Sequence, residues 1–180
     1  TVFDLAKADE EHVYKMWEGL GYYRRAKHLH QTAKTIVDQY HGVFPHDYHD
    51  IVSLKGIGPY TAGAICSIAF HQSIPAIDGN VLRIIARQYC LKDNIALTQT
   101  QKKITEIVQE LIQGYDGSSF NQGLMDLGAT ICRPMNPKCE ACPIQETCQA
   151  YQAKQQNVLP VLIKNIKNKE ISYITGIITY

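Results

Sequence analysis

Four cysteines constrain this chain more than any other feature: Cys132, Cys139, Cys142 and Cys148. Their spacing is C-x6-C-x2-C-x5-C, within ICRPMNPKCEACPIQETC. Thiols this close in sequence are typical of a metal site, either a [4Fe–4S] cluster or a structural zinc ion. The segment contains no histidine, which argues against a mixed Cys/His zinc site, and disulfides would require an oxidising compartment. Spacing alone leaves zinc and iron–sulfur open, and the rest of the chain favours iron–sulfur.

The composition fits a globular protein without a strong charge preference. The chain has 180 residues, 45% of them hydrophobic, which suits one unit or two small lobes that share an interface. Its formal net charge is +1, so a nucleic-acid partner would have to be bound by a local basic patch. No apolar stretch is long enough to span a bilayer, and we expect no membrane partner. Cys66 and Cys90 lie in apolar surroundings, and we predict that both are buried.

Hydrophobic spacing and helix breakers predict an all-α fold up to about residue 155. The predicted helices are 9–20, 23–40, 47–54, one that opens at Pro59, 81–89, one from Thr98 or Thr100 to Ile112, and 121–132. Residues 154–170 are polar and basic, as in a linker, and the β-branched run 171–180 predicts the first strand of a further domain. Because a lone strand has no partner and the chain does not begin with Met, we expect a piece of a longer protein, cut at both ends.

The segment LKGIGPYTAGAI, residues 54–65, predicts a tight turn between two short helices. Gly56 and Gly58 allow a backbone with φ > 0 and let N–H groups approach a phosphate closely. Such contacts, with Lys55 beside them, hold DNA without reading its sequence. A Gly-x-Gly pair alone fits an ordinary helix–helix turn equally well. The downstream segment IPAIDGNVLRI strengthens the first interpretation, because it places an aspartate at the start of a helix.

Several segments together resemble the MutY adenine DNA glycosylases, which are helix-hairpin-helix base-excision enzymes related to endonuclease III. The segments are GLGYYRRAKHLH, LKGIGPYTAGAI, IPAIDGNVLRIIAR and FNQGLMDLGATIC, followed by the four-cysteine loop. The resemblance runs over about residues 1–155. It implies an all-α helix-hairpin-helix DNA glycosylase fold and a [4Fe–4S] cluster held by the four cysteines.

The same resemblance implies a division of the chain into lobes. A helical barrel lobe with the hairpin would take residues 1–72, and a cluster lobe would take residues 73–153. Residues 154–170 would then be the linker, and residues 171–180 the start of a truncated C-terminal domain.

Three residues match family positions beside the reacting sugar. Asp78 matches the active-site aspartate that stabilises or captures the oxocarbenium-like sugar cation, although it also fits a plain N-cap. Asn80 matches the second polar residue beside the sugar. Tyr60 stands where bifunctional relatives carry the lysine that forms a Schiff base, which implies a monofunctional hydrolase.

Five more residues are candidate DNA contacts. Tyr22 matches the intercalating aromatic and Gln122 a position that contacts the flipped adenine; a core tyrosine and a helix-surface glutamine are the plainer interpretations. Arg133 and Lys138 lie between the first two cysteines, where a metal-braced loop would present cations to phosphate, unless that loop is simply solvated. Arg24, in the basic stretch RRAK, offers a further cation, although the spacing also fits an exposed helix face.

The implied activity is hydrolysis of the N-glycosidic bond of adenine mispaired with 8-oxoguanine or guanine in double-stranded DNA, after base flipping. The family's catalytic glutamate would lie before Thr1, so we expect the chain alone to be inactive. Two alternatives stay open: an endonuclease III-like glycosylase/lyase, which Tyr60 opposes, and a DNA-binding iron–sulfur module without catalysis. We expect a monomer in the bacterial cytoplasm, associated with the nucleoid.

Overall fold

The computed structural model describes residues 1–163, and all regular structure in this part of the chain is helical. The α-helices are α1 (Val2–Lys7), α2 (Glu10–Met16), α3 (Tyr23–Tyr40), α4 (Tyr48–Ser53), α5 (Pro59–Ala64), α6 (Gly79–Gln88), α7 (Thr98–Leu111), α8 (Gly117–Thr130) and α9 (Gln149–Gln152). A π-helical turn, Ile65–Ala69, extends α5, and Cys139–Ala141 forms a 3-10 turn. The predicted all-α fold is confirmed. The predicted strand 171–180 lies outside the described residues.

Aspartate side chains fix where three helices begin. Asp47 accepts a hydrogen bond from the His49 N–H at 2.7 Å and starts α4. Asp78 starts α6 in the same way. Asp116 accepts from the Ser119 N–H at 2.7 Å, and α8 therefore begins at Gly117, one turn before the predicted start at residue 121.

Two glycines end the second helix earlier than its hydrophobic spacing predicts. Helix α2 stops at Met16, and Gly19 and Gly21 have φ of +85° and +67°. The Trp17 indole Nε1 donates to the Gly21 carbonyl at 2.8 Å and ties this turn together. Tyr22 follows with φ of +48°, so the chain enters α3 from a left-handed residue.

Two hydrophobic cores organise the helices. One is built around Ile51, Ala62 and Cys66, where α4 packs on α5. The other lies between α6 and α7, and its buried members are Val81, Ile85, Ala86, Ile95, Ile104 and Val108. Helix α6 also packs against α8 and α9, which makes it the most connected helix of the second core. The predicted boundary between lobes at residues 72 and 73 stays a prediction.

The two cysteines outside the four-cysteine loop differ in burial. Cys66 is fully buried, as predicted, and burial raises the pKa of its thiol. Cys90 is only half-buried, so the prediction for it is wrong. The reason is its position: it follows α6 in a turn with φ of +49°, where the chain leaves the core.

The C-terminal end of the described chain is held against the second core. The Leu159 carbonyl accepts from Arg87 Nε at 2.8 Å, and the Val161 carbonyl accepts from the Ile95 N–H at 3.0 Å. The first part of the predicted linker therefore has fixed backbone partners. Among the described residues, no helix is long and apolar enough to cross a membrane.

Candidate active site

Asp78 lies at the N-terminus of α6, where the helix dipole favours a negative charge. Its Oδ1 accepts a hydrogen bond from the Val81 N–H at 2.8 Å, and its Oδ2 accepts one from Asn80 Nδ2 at 2.8 Å. The side chain is half-buried. Two donors thus hold the carboxylate in one orientation, and Asp78 is a helix cap whichever further role it has.

Arg83 holds Asn80 from the side away from Asp78. Its Nη2 donates to Asn80 Oδ1 at 2.8 Å and to the Gly128 carbonyl at 2.8 Å, and its Nε donates to the Cys132 carbonyl at 2.7 Å. Only 8% of Arg83 is exposed, and burial lowers the pKa of its guanidinium. A chain of hydrogen bonds therefore runs from the backbone of the first cysteine, through Arg83 and Asn80, to the carboxylate.

Helix α8 brings Tyr60 to the same region. The Tyr60 hydroxyl lies 3.9 Å from Met125 Sδ, while the side chain of Asn80 packs against Gly128. Met125 and Gly128 are three residues apart, so they lie on one face of α8 in adjoining turns. Tyr60 and Asn80 therefore contact one face of α8, and Asp78 is linked to that face through Asn80. Their catalytic roles stay predictions.

The hairpin turn has one glycine in the left-handed region. Gly56 has φ of +80°, and a Cβ there would lie 2.6 Å from His28 Cβ and Nδ1. Gly58 has φ of −94°, so the expectation of φ > 0 at Gly58 is wrong. A Cβ added at Gly58 would have no atom within 4 Å, which means that this glycine leaves open space at the start of α5. Lys55 is exposed, and its carbonyl accepts from Thr32 Oγ1 at 2.9 Å.

Helix α3 packs beside this turn through His28 and Thr32. Arg24, His28 and Thr32 are four residues apart in succession, so they share one face of α3. Two of them contact the Lys55–Gly56 turn. Tyr22, just before α3, is 80% exposed, which excludes the alternative that it is a core tyrosine. Arg24 therefore lies on the face of α3 that contacts the turn, and Tyr22 is exposed just before that helix.

The other three candidate contacts lie elsewhere on the surface. Gln122 is exposed on α8, and its Nε2 donates to Ser118 Oγ at 2.8 Å. Lys138 is exposed, whereas Arg133 is half-buried and its Nη2 donates to the Asn136 carbonyl at 3.2 Å. Arg133 thus braces its own loop. Whether these residues contact DNA stays a prediction.

The four cysteines surround one cavity, here called the cysteine cavity. It holds about 310 Å³ of space between atoms, part of it open to solvent, and Arg87, Tyr151 and Gln156 also line it. In residues 1–163, no group of three His, Cys, Asp or Glu side chains converges closely enough to bind a single metal ion. Burial raises the pKa of the Cys139 and Cys142 thiols, so a positive partner is needed to hold them as thiolates near neutral pH.

Arg87 is the cation beside this cavity. It is 2% exposed, and its Nη1 lies 3.3 Å from Cys132 Sγ. The guanidinium also donates to three backbone carbonyls, those of Arg133, Pro134 and Leu159. None of the ion pairs found in the described part of the chain involves Arg87. In the described part of the chain, the Cys132 thiol is the acidic group in direct contact with this guanidinium, and the other three cysteines line the same cavity.

The sequence also contains a signal for the roles of Arg83 and Arg87, which the comparison of motifs does not detect. Arg83 and Arg87 are four residues apart on a helix whose other inward residues are aliphatic, and charged residues are rarely buried without a partner. Two such residues on a core face indicate an acidic partner across that face. Asn121 and Gly128 of α8 give no comparable sign, because their importance arises from contacts with a distant loop.

Comparison with known proteins places the fold and the family. The family described as "HhH-GPD superfamily base excision DNA repair protein" matches residues 1–113. A thermostable thymine-DNA glycosylase is similar in structure, with a TM-score of 0.76 and 30% identity over 84% of this chain and 70% of that chain. A trapped endonuclease III–DNA covalent intermediate gives a TM-score of 0.69 at 22% identity, covering 86% of this chain and 71% of that one, which supports the fold alone. The predicted glycosylase fold is confirmed.

Similar sequences carry a more specific name. The adenine DNA glycosylase of Buchnera aphidicola subsp. Acyrthosiphon pisum (strain APS) is 40% identical over 155 residues, which is 86% of this chain and 44% of the relative. The adenine DNA glycosylase of Mus musculus is 40% identical over 160 residues, 88% of this chain and 31% of the relative. The chain thus spans less than half the length of these curated relatives. The predicted resemblance to adenine DNA glycosylases is confirmed, and the chain belongs to the HhH-GPD superfamily of base excision DNA repair proteins.

Proposed function

We propose that the protein containing this chain is a monofunctional adenine DNA glycosylase. It would remove adenine mispaired with 8-oxoguanine or guanine by hydrolysis of the N-glycosidic bond. The observation that carries the proposal is the carboxylate of Asp78, fixed by the Val81 N–H and by Asn80 at the start of α6. The names of the relatives, all at about 40% identity over most of this chain, support adenine as the base.

The chemistry follows from the charge that develops as the glycosidic bond breaks. The sugar becomes an oxocarbenium-like cation while the departing adenine takes the bonding electrons. A carboxylate held in place before the reaction stabilises that cation without reorganising at the moment of bond cleavage. Asp78 meets this need because two donors fix the orientation of its carboxylate, and one of them, Asn80, packs against Gly128 of α8. Water then adds to the sugar carbon and releases one proton, which balances the proton that the departing adenine takes up.

Tyr60 decides between hydrolysis and lyase chemistry. A lyase needs an amine that attacks the sugar and forms a Schiff base. The tyrosine hydroxyl near Met125 cannot form one, since it has no nitrogen. This favours the hydrolase over the glycosylase/lyase.

Double-stranded DNA is the proposed partner, bound through phosphates. The open start of α5 at Gly58 lets backbone N–H groups approach a phosphate, and both Lys55 and Arg24 are exposed, Arg24 on the face of α3 that contacts the turn. Tyr22, exposed at the start of α3, is in a position to enter the base stack. Gln122, Arg133 and Lys138 remain candidate contacts on the other lobe. We propose that the protein acts as a monomer, and that it lies in the bacterial cytoplasm on the nucleoid.

A [4Fe–4S] cluster is the proposed cofactor. Its ligands would be Cys132, Cys139, Cys142 and Cys148. The fit rests on the donor set and the space: four thiols surround a shared cavity, and a buried guanidinium supplies charge against their thiolates. When bound, the cluster would join residues 132–148 into one rigid body and contribute to the folding energy of that lobe.

The activity is tested by replacing Asp78 with Asn in the intact protein. The amide keeps an oxygen for the Val81 N–H but removes the negative charge, so the helix cap survives while the electrostatic stabilisation is lost. Single-turnover excision from an adenine:8-oxoguanine duplex should slow by about 10²–10³-fold, and binding of the duplex should be retained. Borohydride should trap no covalent complex with the wild type.

Asp116→Asn is the matched control. Asp116 caps α8 through the Ser119 N–H, as Asp78 caps α6, but it lies at the far end of α8 from Gly128. Its replacement should leave the excision rate within about twofold of wild type. Equal excision by Asp78→Asn and Asp116→Asn would reduce Asp78 to a helix cap, and trapping by borohydride would instead favour the lyase.

A further inference from the structure

Residues 71–78, here called the Asp78 loop, carry the carboxylate without regular structure of their own. The loop runs from the end of the π-helical turn to the start of α6. A backbone outside helices and strands has to find partners for its polar groups elsewhere. One residue of α8, Asn121, supplies two of these partners.

Asn121 is the central contact between α8 and this loop. It is completely buried, its Oδ1 accepts from the Ala76 N–H at 3.0 Å, and its Nδ2 donates to the Ile74 carbonyl at 2.9 Å. One amide side chain therefore satisfies the backbone on both sides of Pro75. This fixes the path of the loop a few residues before Asp78.

Two glycines on the same helix let α8 approach closely. A Cβ at Gly117 would collide with the Gln72 carbonyl oxygen, and a Cβ at Gly128 would lie 2.5 Å from Asn80 Cβ. Gly117, Asn121 and Gly128 are four and then seven residues apart, so they share one face of α8. Their contacts follow the chain in the same order, from Gln72 through Ile74 and Ala76 to Asn80.

We propose that Asn121 and Gly128 are positioning residues for the Asp78 carboxylate. Asn121 sets the backbone before Asp78, and Gly128 leaves the room in which Asn80 reaches Asp78 Oδ2 at 2.8 Å. The inference rests on the proposed function and deepens it, because it states that contacts from α8 hold the Asp78 carboxylate in position. It is independent of the cluster.

Gly128→Ala tests the proposal in the intact protein. The new methyl group cannot fit at 2.5 Å from Asn80 Cβ, so Asn80 and the carboxylate it holds must move. A displacement of about 1 Å lowers the rate of a positioned reaction by roughly 10²-fold. We expect the single-turnover excision rate constant to fall by this factor, while affinity for a duplex with an uncleavable adenine analogue and the amplitude of the reaction stay near wild type.

Gly123→Ala is the matched control on the same helix. No atom lies within 4 Å of a Cβ at Gly123, so the same substitution there should leave the excision rate constant unchanged. Asn121→Asp is the second test. The carboxylate can accept from the Ala76 N–H but cannot donate to the Ile74 carbonyl, and the rate constant should fall here too.

Crystal structures of the variants separate this inference from the proposed function. In Gly128→Ala the distance between Asn80 Nδ2 and Asp78 Oδ2 should lengthen beyond hydrogen-bonding range, whether or not adenine is the substrate. Retention of the 2.8 Å contact in that variant would overturn the positioning role. A wild-type protein that excises no adenine would overturn the proposed function, while the displaced carboxylate would still support the positioning role. Wild-type excision rates in Gly128→Ala and Asn121→Asp would overturn the inference alone.

Discussion

Replacing Arg87 with Met should weaken binding of the proposed [4Fe–4S] cluster in the cysteine cavity. Arg87 is 2% exposed and donates to the carbonyls of Arg133, Pro134 and Leu159, and it also contacts Cys132 Sγ. Methionine has a similar length and an apolar end, so it fills the space without offering a donor. The three carbonyls and the Cys132 sulfur would lose their shared partner at once.

The size of the effect follows from those contacts. A hydrogen bond from a charged donor contributes about 1.5–3 kcal/mol, which gives an upper bound of roughly 5–9 kcal/mol for three carbonyl acceptors. The contributions are not additive, and removing the guanidinium also removes the cost of burying it. Each carbonyl left without a donor costs about 1–3 kcal/mol, and with the cost of burying the guanidinium removed we expect a net loss of about 3–5 kcal/mol. It is a large part of the total stability of a domain, about 5–15 kcal/mol.

The assay measures cofactor and stability together in the intact protein. Iron and sulfide content of Arg87→Met should fall well below that of the wild type, and the melting transition of the lobe should drop by roughly 10 °C. Arg25→Met is the control, since Arg25 is exposed on α3 and its loss should change stability by no more than about 0.5 kcal/mol. A fully loaded Arg87→Met protein that melts with the wild type would refute the reasoning.

Two further predictions concern the hairpin and the cysteines. The Gly58→Asp side chain fits the open space at the start of α5, so the stability of the protein should be kept. Binding of any DNA duplex, measured by fluorescence anisotropy, should weaken. Unchanged binding would contradict the hairpin assignment. Gly56→Asp should instead lower the melting temperature, because Gly56 has φ of +80° and packs against His28. Cys132→Ser should lose the metal, whereas Cys66→Ser should retain it. Iron analysis of both proteins, purified under iron-replete conditions, measures the difference. Equal iron content in the two variants would exclude Cys132 as a ligand.

Much of the helical framework can be predicted from local sequence. The long helix α3 has the bounds that the sequence predicts, because its hydrophobic spacing is regular and Gly42 lies just beyond it. The start of α5 is predictable because Pro59 fits the first turn of a helix. Such features depend on residues a few positions apart. They are therefore visible in one sequence without knowledge of the fold.

The remaining features depend on contacts between distant residues. The π-helical turn Ile65–Ala69 has no local marker in the sequence, and Gly63 beside it is needed because a Cβ there would collide with the Pro75 carbonyl oxygen. Asn121 reads as an ordinary helical asparagine until its contacts with Ile74 and Ala76 are known. These requirements arise only when α5 and α8 close on the Asp78 loop.

Helix α6 contacts both the region of the Asp78 carboxylate and the cysteine cavity. Asp78 caps its N-terminus, Arg83 lies in its second turn, and Arg87 follows one turn after Arg83. Arg83 contacts Asn80 and the Cys132 carbonyl, and Arg87 contacts Cys132 Sγ. Since a helix of ten residues is rigid over this distance, any movement of the cysteine loop that pulls on the two arginines also moves the start of the helix. Hydrogen bonds of this one helix therefore connect the cysteine loop to the Asp78 carboxylate through Arg83 and Asn80.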